Sequence, residues 1–139
     1  MRFFFYGTLM AESGNAVAVA AHRRLGSGVP GVVCGKLYGI ADPQGWYPAF
    51  VHGDGAVHGF VHEAGPDFTE ADLAALDAYE GAEYRRCVVE VRLADGSLTE
   101  AQGFVWVGAL PEGAEAIAGG DFAAFIRQRG LKAFGGEGA

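Results

Sequence analysis

Two short segments hold the residue types that suggest chemistry. The first is Tyr6-Gly7-Thr8-Leu9, where an aromatic run ends at Tyr6 and passes into a glycine and a hydroxyl residue. Glycine removes the side chain that would keep a ligand off the main chain. Successive amides after a strand can then hold an anion, or a carbonyl oxygen on its way to becoming an oxyanion. An ordinary turn after a strand has the same composition, so the tetrapeptide alone leaves both readings open. The second segment is Leu76-Asp77-Ala78-Tyr79-Glu80-Gly81-Ala82-Glu83-Tyr84-Arg85-Arg86. Glu80 falls four residues after Leu76, on or beside the buried face of a helix and in its last turn. The negative end of the helix dipole and desolvation both disfavour an anion there. A carboxyl so placed is pushed toward the range useful to a general acid/base. The alternative is that Glu80 turns outward to pair with Arg85 or Arg86. Asp77 lies on the more exposed side.

The remaining candidates are weaker. His58 and His62 stand four apart in a strand, with His52 and Glu63 nearby. That spacing separates them by about 13 Å, too far for one metal ion, so no metal site is expected. Cys34 and Cys87 fall in strands, where a free thiol packs as a small apolar group. The chain has no P-loop, no dinucleotide fingerprint and no Gly-x-Ser-x-Gly elbow.

The elements that must position these residues can be read from the pattern. Arg2 to Tyr6 reads as a buried strand. Asn15 to Arg24 reads as a short helix, and Val29 to Ile40 as a strand bent at Gly31, Gly35 and Gly39. A turn at Trp46-Tyr47-Pro48 leads into a short strand. Gly53-Asp54-Gly55 reads as a second turn, and Ala56 to Glu63 as a further strand. Thr69 can cap a helix that carries Leu73, Leu76 and Tyr79 or Glu80 on one side and ends at Gly81. Tyr84 to Leu93 and Leu98 to Val107 form a hairpin around Asp95-Gly96. A last helix runs from Asp121 to Arg129. This order is not a repeating βαβ pattern, so the fold expected is α+β with a curled sheet.

The chain has 139 residues, half of them hydrophobic, which suits one domain over residues 1–133 with a flexible tail at 134–139. Ten basic against seventeen acidic residues give a net charge of −7 with no basic run. Such a surface repels phosphate backbones and anionic membranes. Apolar stretches are too short to cross a bilayer as helices. Two cysteines make no disulfide framework, so a cytoplasmic location is expected. Monomer and homodimer are both compatible with this composition.

Taken together and in order, the motifs resemble the γ-glutamyl cyclotransferase-like family. The matching residues are Phe5-Tyr6-Gly7-Thr8-Leu9, Gly35-Lys36-Leu37-Tyr38 with Tyr47-Pro48-Ala49, Leu76-Asp77-x-x-Glu80-Gly81-x-x-Tyr84-Arg85-Arg86 and Gly119-Gly120-Asp121-Phe122. The resemblance implies a small mixed β-barrel with flanking short helices. It implies that Tyr6, Gly7, Thr8 and Leu9 hold a γ-glutamyl group, that Glu80 is the acid/base and that Tyr84 borders the pocket. The reaction implied is attack of the substrate's α-amine on its own γ-amide carbonyl, releasing 5-oxoproline and an amine or amino acid. It needs no cofactor, because the nucleophile belongs to the small-molecule substrate. A second reading keeps the same pocket as a binding module without turnover. Met10, Phe60 and Gly39 depart from the residues usual in the family at their positions, so the resemblance does not define the leaving amine.

Overall fold

The computed structural model describes residues 1–10 and 15–134. Its elements in chain order are β1 (Arg2–Phe5), α1 (Ala16–His22), β2 (Val29–Ile40), β3 (Tyr47–Glu63), α2 (Glu70–Glu80), β4 (Tyr84–Leu93), β5 (Leu98–Trp106), β6 (Glu115–Ala116) and α3 (Phe122–Arg129). The strands run β3-β1-β5-β4-β2, and β2 pairs back onto β3, closing a five-stranded barrel with β6 attached to β2. The β1–β5 pair is parallel and the other pairings are antiparallel, so the barrel is mixed. The α+β class and the small mixed barrel expected from the sequence are both found.

β1 explains why the chain begins with consecutive aromatics. Successive strand residues point to opposite faces, and here both faces are covered. Phe4 points into the barrel with Leu37, Phe50, Val57 and Val91, while Phe3 and Phe5 pack outward with Leu76 and Phe104. All three phenylalanines are at most 2% exposed. Each contributes roughly 1.5–3 kcal/mol of apolar burial.

Gly53-Asp54-Gly55 does not end a strand. The expected turn lies inside one 17-residue strand, β3. The register against β2 steps from Lys36↔Val51 to Cys34↔Ala56, so Gly35 faces an outward bulge of residues 52–55. A bulge and a turn draw on the same small and polar residues, which is why the sequence suggested a break.

α2 starts where expected. The Thr69 hydroxyl accepts from the Asp72 amide and the Asp72 carboxylate accepts from the Thr69 amide at 2.8 Å. Arg24 reaches that carboxylate at 3.1 Å and ties the end of α1 to the start of α2. Leu76 is buried against the barrel wall, and this contact sets the orientation of the last turn, which carries Tyr79 and Glu80.

Residues 135–139, most of the expected tail, lie outside the described residues. Phe134, expected within that tail, is held in place. Its amide donates to the Trp46 carbonyl at 2.6 Å, and the Trp46 amide donates to the Lys132 carbonyl at 2.7 Å. Gly45 makes room for this segment. It has φ +129°, and a Cβ there would stand 2.7 Å from the Ala133 carbonyl carbon. Among the described residues no helix is long and apolar enough to cross a membrane.

Candidate active site

The chain leaves β1 at Phe5 and turns through Tyr6-Gly7-Thr8-Leu9 at one end of the barrel. Five side chains fix this loop. The Tyr6 hydroxyl points into the core and donates to the Phe104 carbonyl at 2.6 Å. The Leu9 side chain is buried against α1, and the Leu9 carbonyl lies 2.8 Å from His22 Nε2. Asn15 caps α1 by accepting from the Ala18 amide at 2.9 Å, while its Nδ2 donates to the Thr8 carbonyl. The Tyr79 hydroxyl donates to Thr8 Oγ1 at 2.9 Å. The loop's carbonyls and side chains are thus engaged on the protein side. Among the described residues no main-chain acceptor takes the amides of Gly7, Thr8 or Leu9. That distribution suits a loop that presents N–H groups to a guest oxygen.

Gly7 is required by the packing. A Cβ at this position would stand 2.3 Å from Pro48 Cγ. The Pro48 carbonyl in turn accepts from the Tyr84 hydroxyl at 2.5 Å, so Tyr84, Pro48 and the loop form one connected wall. Burial, followed by the charges of Tyr6 and Glu80 nearby, raises the Tyr84 phenol far above its usual range. It stays protonated and acts as a donor. Tyr6 is raised as well, by burial first and then by Glu80.

Glu80 is the last residue of α2 and faces the loop. Phe4 to Leu9, Pro48, Phe104 and Glu80 enclose a slot of about 10 Å³, no larger than one water molecule. The residue as a whole is only partly buried, yet protein atoms surround its carboxyl closely. Desolvation pushes the pKa from 4.5 up to about 8. The outward pairing considered from the sequence does not form. Arg86 goes to Asp77 at 2.9 Å and to Gln102 at 3.0 Å instead.

A second space adjoins the slot and shares Thr8 and Glu80 with it. This cavity holds about 180 Å³ and is walled by Tyr47, Tyr79, Glu83, Tyr84 and Phe134. A further cavity of about 400 Å³ lies across Glu80 and Tyr84 toward Arg85 and Asp77 but does not touch the loop. A larger one, about 460 Å³, opens between Pro30–Val32, Arg92 and α3 and contains none of the expected site residues. Volume is therefore a poor guide here. The site is better located by the buried carboxyl facing the Tyr6–Leu9 loop.

The structure brings all six expected site residues, Tyr6, Gly7, Thr8, Leu9, Glu80 and Tyr84, to this end of the barrel. It assigns their parts unevenly. Tyr6 and Leu9 turn their side chains into the cores and leave main chain at the slot. Asn15, Tyr79, His22 and Pro48 hold the site together and were not singled out from the sequence for that task. For Asn15 a signal existed, since Asn before an Ala/Val run is a preferred helix cap. His62 is buried, with its ring centroid 4.5 Å from that of His22, and His58 is exposed. Among the described residues no three of His, Cys, Asp and Glu converge as metal ligands.

Asn15→Ala removes the cap of α1 and the donor to the Thr8 carbonyl together. It is expected to cost about 1–3 kcal/mol of stability, read as a lowered urea midpoint at unchanged slope.

The chain belongs to the AIG2-like gamma-glutamyl cyclotransferase family, whose profile matches residues 3–124. Solved structures share the fold. One is an uncharacterised protein of Pyrococcus horikoshii, 24% identical over 94% of this chain and 95% of that one, with a TM-score of 0.65. Another is an AIG2-like protein of Mus musculus, 22% identical over 80% of each chain, with a TM-score of 0.63. A third, from Arabidopsis thaliana, is 26% identical over 92% of this chain and 80% of that one, with a TM-score of 0.62. Among curated proteins, none matches the chain.

Proposed function

We propose that the protein is a γ-glutamyl cyclotransferase-type enzyme that releases 5-oxoproline and an amine from a γ-glutamyl amide. The observation that carries this reading is Glu80: a carboxyl with a pKa of about 8, enclosed in one slot with the loop Tyr6–Leu9. Family membership supports the general class.

The chemistry follows from what each group can do. The glutamyl portion lies along the Tyr6–Leu9 loop, with its γ-carbonyl oxygen toward the loop amides. The substrate's α-amine attacks the γ-carbon and forms the new ring C–N bond. Ionised Glu80 takes the proton that the attacking nitrogen sheds. The tetrahedral oxyanion is stabilised by the loop amides, which are fixed in place before the reaction and need no reorganisation. As the old C–N bond breaks, Glu80 returns the proton to the departing amine, so atoms and charge balance. Holding amine and carbonyl in the attack geometry replaces a rare conformer of the free substrate.

The loop's placement is testable apart from Glu80. Gly7→Ala forces the loop away from Pro48, and a displacement of about 1 Å can cost on the order of a hundredfold. The expected outcome is a drop of that size in kcat/KM for 5-oxoproline release with a native circular dichroism spectrum. Unchanged kcat/KM would remove the loop from the reaction.

A further inference from the structure

The cavity of about 460 Å³ between β2, the end of β4 and α3 has no part in the reaction proposed above, and its lining runs against the charge of the chain. The protein carries a net charge of −7, yet Arg92, Arg127 and His58 line this space against a single carboxylate, Asp121. That carboxylate is already engaged. It caps α3 by accepting from the Ala124 amide at 3.0 Å. The two guanidinium groups are not engaged in this way. Arg2, Arg24, Arg86 and Arg129 each pair with a carboxylate, whereas neither Arg92 nor Arg127 makes an ion pair among the described residues. Two unpaired cations lining one concave space gain from an anion placed between them.

The frame of the cavity is fixed by close backbone packing. β2 meets β4 at Gly31↔Leu93 and Val32↔Arg92, and a Cβ on Gly31 would stand 2.4 Å from Val91 Cγ1. α3 is held to β3, where the His58 amide donates to the Gly120 carbonyl at 2.8 Å. A Cβ on Gly120 would stand 1.6 Å from the Ala56 carbonyl oxygen. The strand that bears Arg92 and the helix that bears Arg127 are thus both anchored on the paired strands β2 and β3. Phe60 and Leu93 add apolar surface to the lining. The volume falls within the range of small-ligand pockets, about 300–1,000 Å³.

This lining defines the chemistry of a guest. Guanidinium groups match the oxygens of a phosphate with paired hydrogen bonds. A phosphate monoester carries close to two negative charges at neutral pH, enough for both arginines, where a carboxylate carries one. Bare phosphate would leave the Phe60 and Leu93 surface in water. We infer that this cavity binds a small organic phosphate monoester, its phosphate between Arg92 and Arg127 and its apolar body against Phe60 and Leu93. The inference is independent of the cyclotransferase reading, because none of the residues placed in the reaction lines this cavity.

Phenyl phosphate is the probe, with inorganic phosphate, benzoate and phenol presenting its features separately. Binding is read from the NMR signals of His58, Phe60 and Leu93 at low ionic strength, where exposed charges are least screened. Phenyl phosphate is expected to shift these signals with a Kd at least about tenfold below that of each of the other three. Arg92→Ala and Arg127→Ala are each expected to weaken it by about tenfold. Both side chains are exposed, so circular dichroism should stay native in the variants. Glu80→Gln should bind the probe as the wild type does. Absence of these shifts at millimolar phenyl phosphate overturns the site. Inorganic phosphate or phenol binding as tightly as the ester overturns it too, since the two halves of the cavity would not act together. Benzoate binding as tightly overturns the phosphate assignment. Affinity unchanged in both arginine variants, or lost in Glu80→Gln, shows that the probe sits elsewhere and overturns the inference. The release of 5-oxoproline is a separate measurement, so either proposal can fail while the other stands.

Discussion

Glu80→Gln is expected to lower kcat for 5-oxoproline release by about a thousandfold, within the range typical of a lost general acid/base. Glutamine has the same size as glutamic acid and fills the same space beside Phe104 and the Tyr6–Leu9 loop. It keeps a hydrogen-bonding end but cannot accept and return a proton. KM should move little, because the glutamyl head is held by loop amides that the substitution leaves alone. The split between kcat and KM matters as much as the size of the loss. A fall in binding with kcat preserved would make Glu80 a contact and not the proton carrier. Turnover equal to wild type would end the proposed mechanism.

The same substitution is expected to stabilise the protein in alkaline solution. Glu80 has a pKa of 4.5 when free of the fold and about 8 within it. Between those values the folded state holds a proton that the unfolded state has released. Stability therefore falls as pH rises from about 4.5 to about 8 and then levels off. Glu80→Gln removes that dependence. At pH 5 and below the variant and wild type should unfold at nearly the same urea concentration. At pH 9 the variant should be more stable by roughly 2–4 kcal/mol. Carbon NMR of the Glu80 carboxyl gives an independent check, with a midpoint expected near 8. A midpoint near the ordinary value of about 4.3 would favour the alternative of a binding module, which has no use for a carboxyl kept protonated at neutral pH. The variant that loses the reaction and gains stability is the signature of a group placed for chemistry at a cost to the fold.

Much of this site was legible in the sequence because local rules and function agree there. Tyr6-Gly7-Thr8-Leu9 follows a strand that its aromatics mark plainly. Glu80 closes a helix whose start at Thr69 and end at Gly81 are both signalled by capping residues. The conflict itself was readable: a carboxylate in the last turn, in phase with Leu76, is badly placed for stability. What the sequence hid depends on contacts between distant residues. Tyr79 reaches Thr8 across 71 positions, and Tyr84 reaches Pro48 across 36. No local periodicity reports such pairs. The bulge at residues 52–55 was read as a turn because both use glycine and aspartate. Only the register against β2 distinguishes them. Phe134 belongs to the same class of omission. Its glycine-rich surroundings suggest a loose end, and its partner Trp46 lies 88 positions earlier.

The position of β1 has a consequence for how the chain acquires its structure. This strand lies between β3 and β5, yet Phe4 pairs with Val61 and Phe3 with Gln102. This aromatic segment thus precedes both of its partner strands, and its second neighbour is about a hundred residues away. During synthesis Phe3, Phe4 and Phe5 leave the ribosome long before either partner strand exists. Ring closure must wait until β5 is made, which places the protein among domains dominated by long-range pairing, with folding times in the millisecond-to-second range. In that interval the aromatic segment is exposed to self-association. Producing the protein at lower temperature, where translation and self-association both slow, should raise its soluble yield more than any change at the active site.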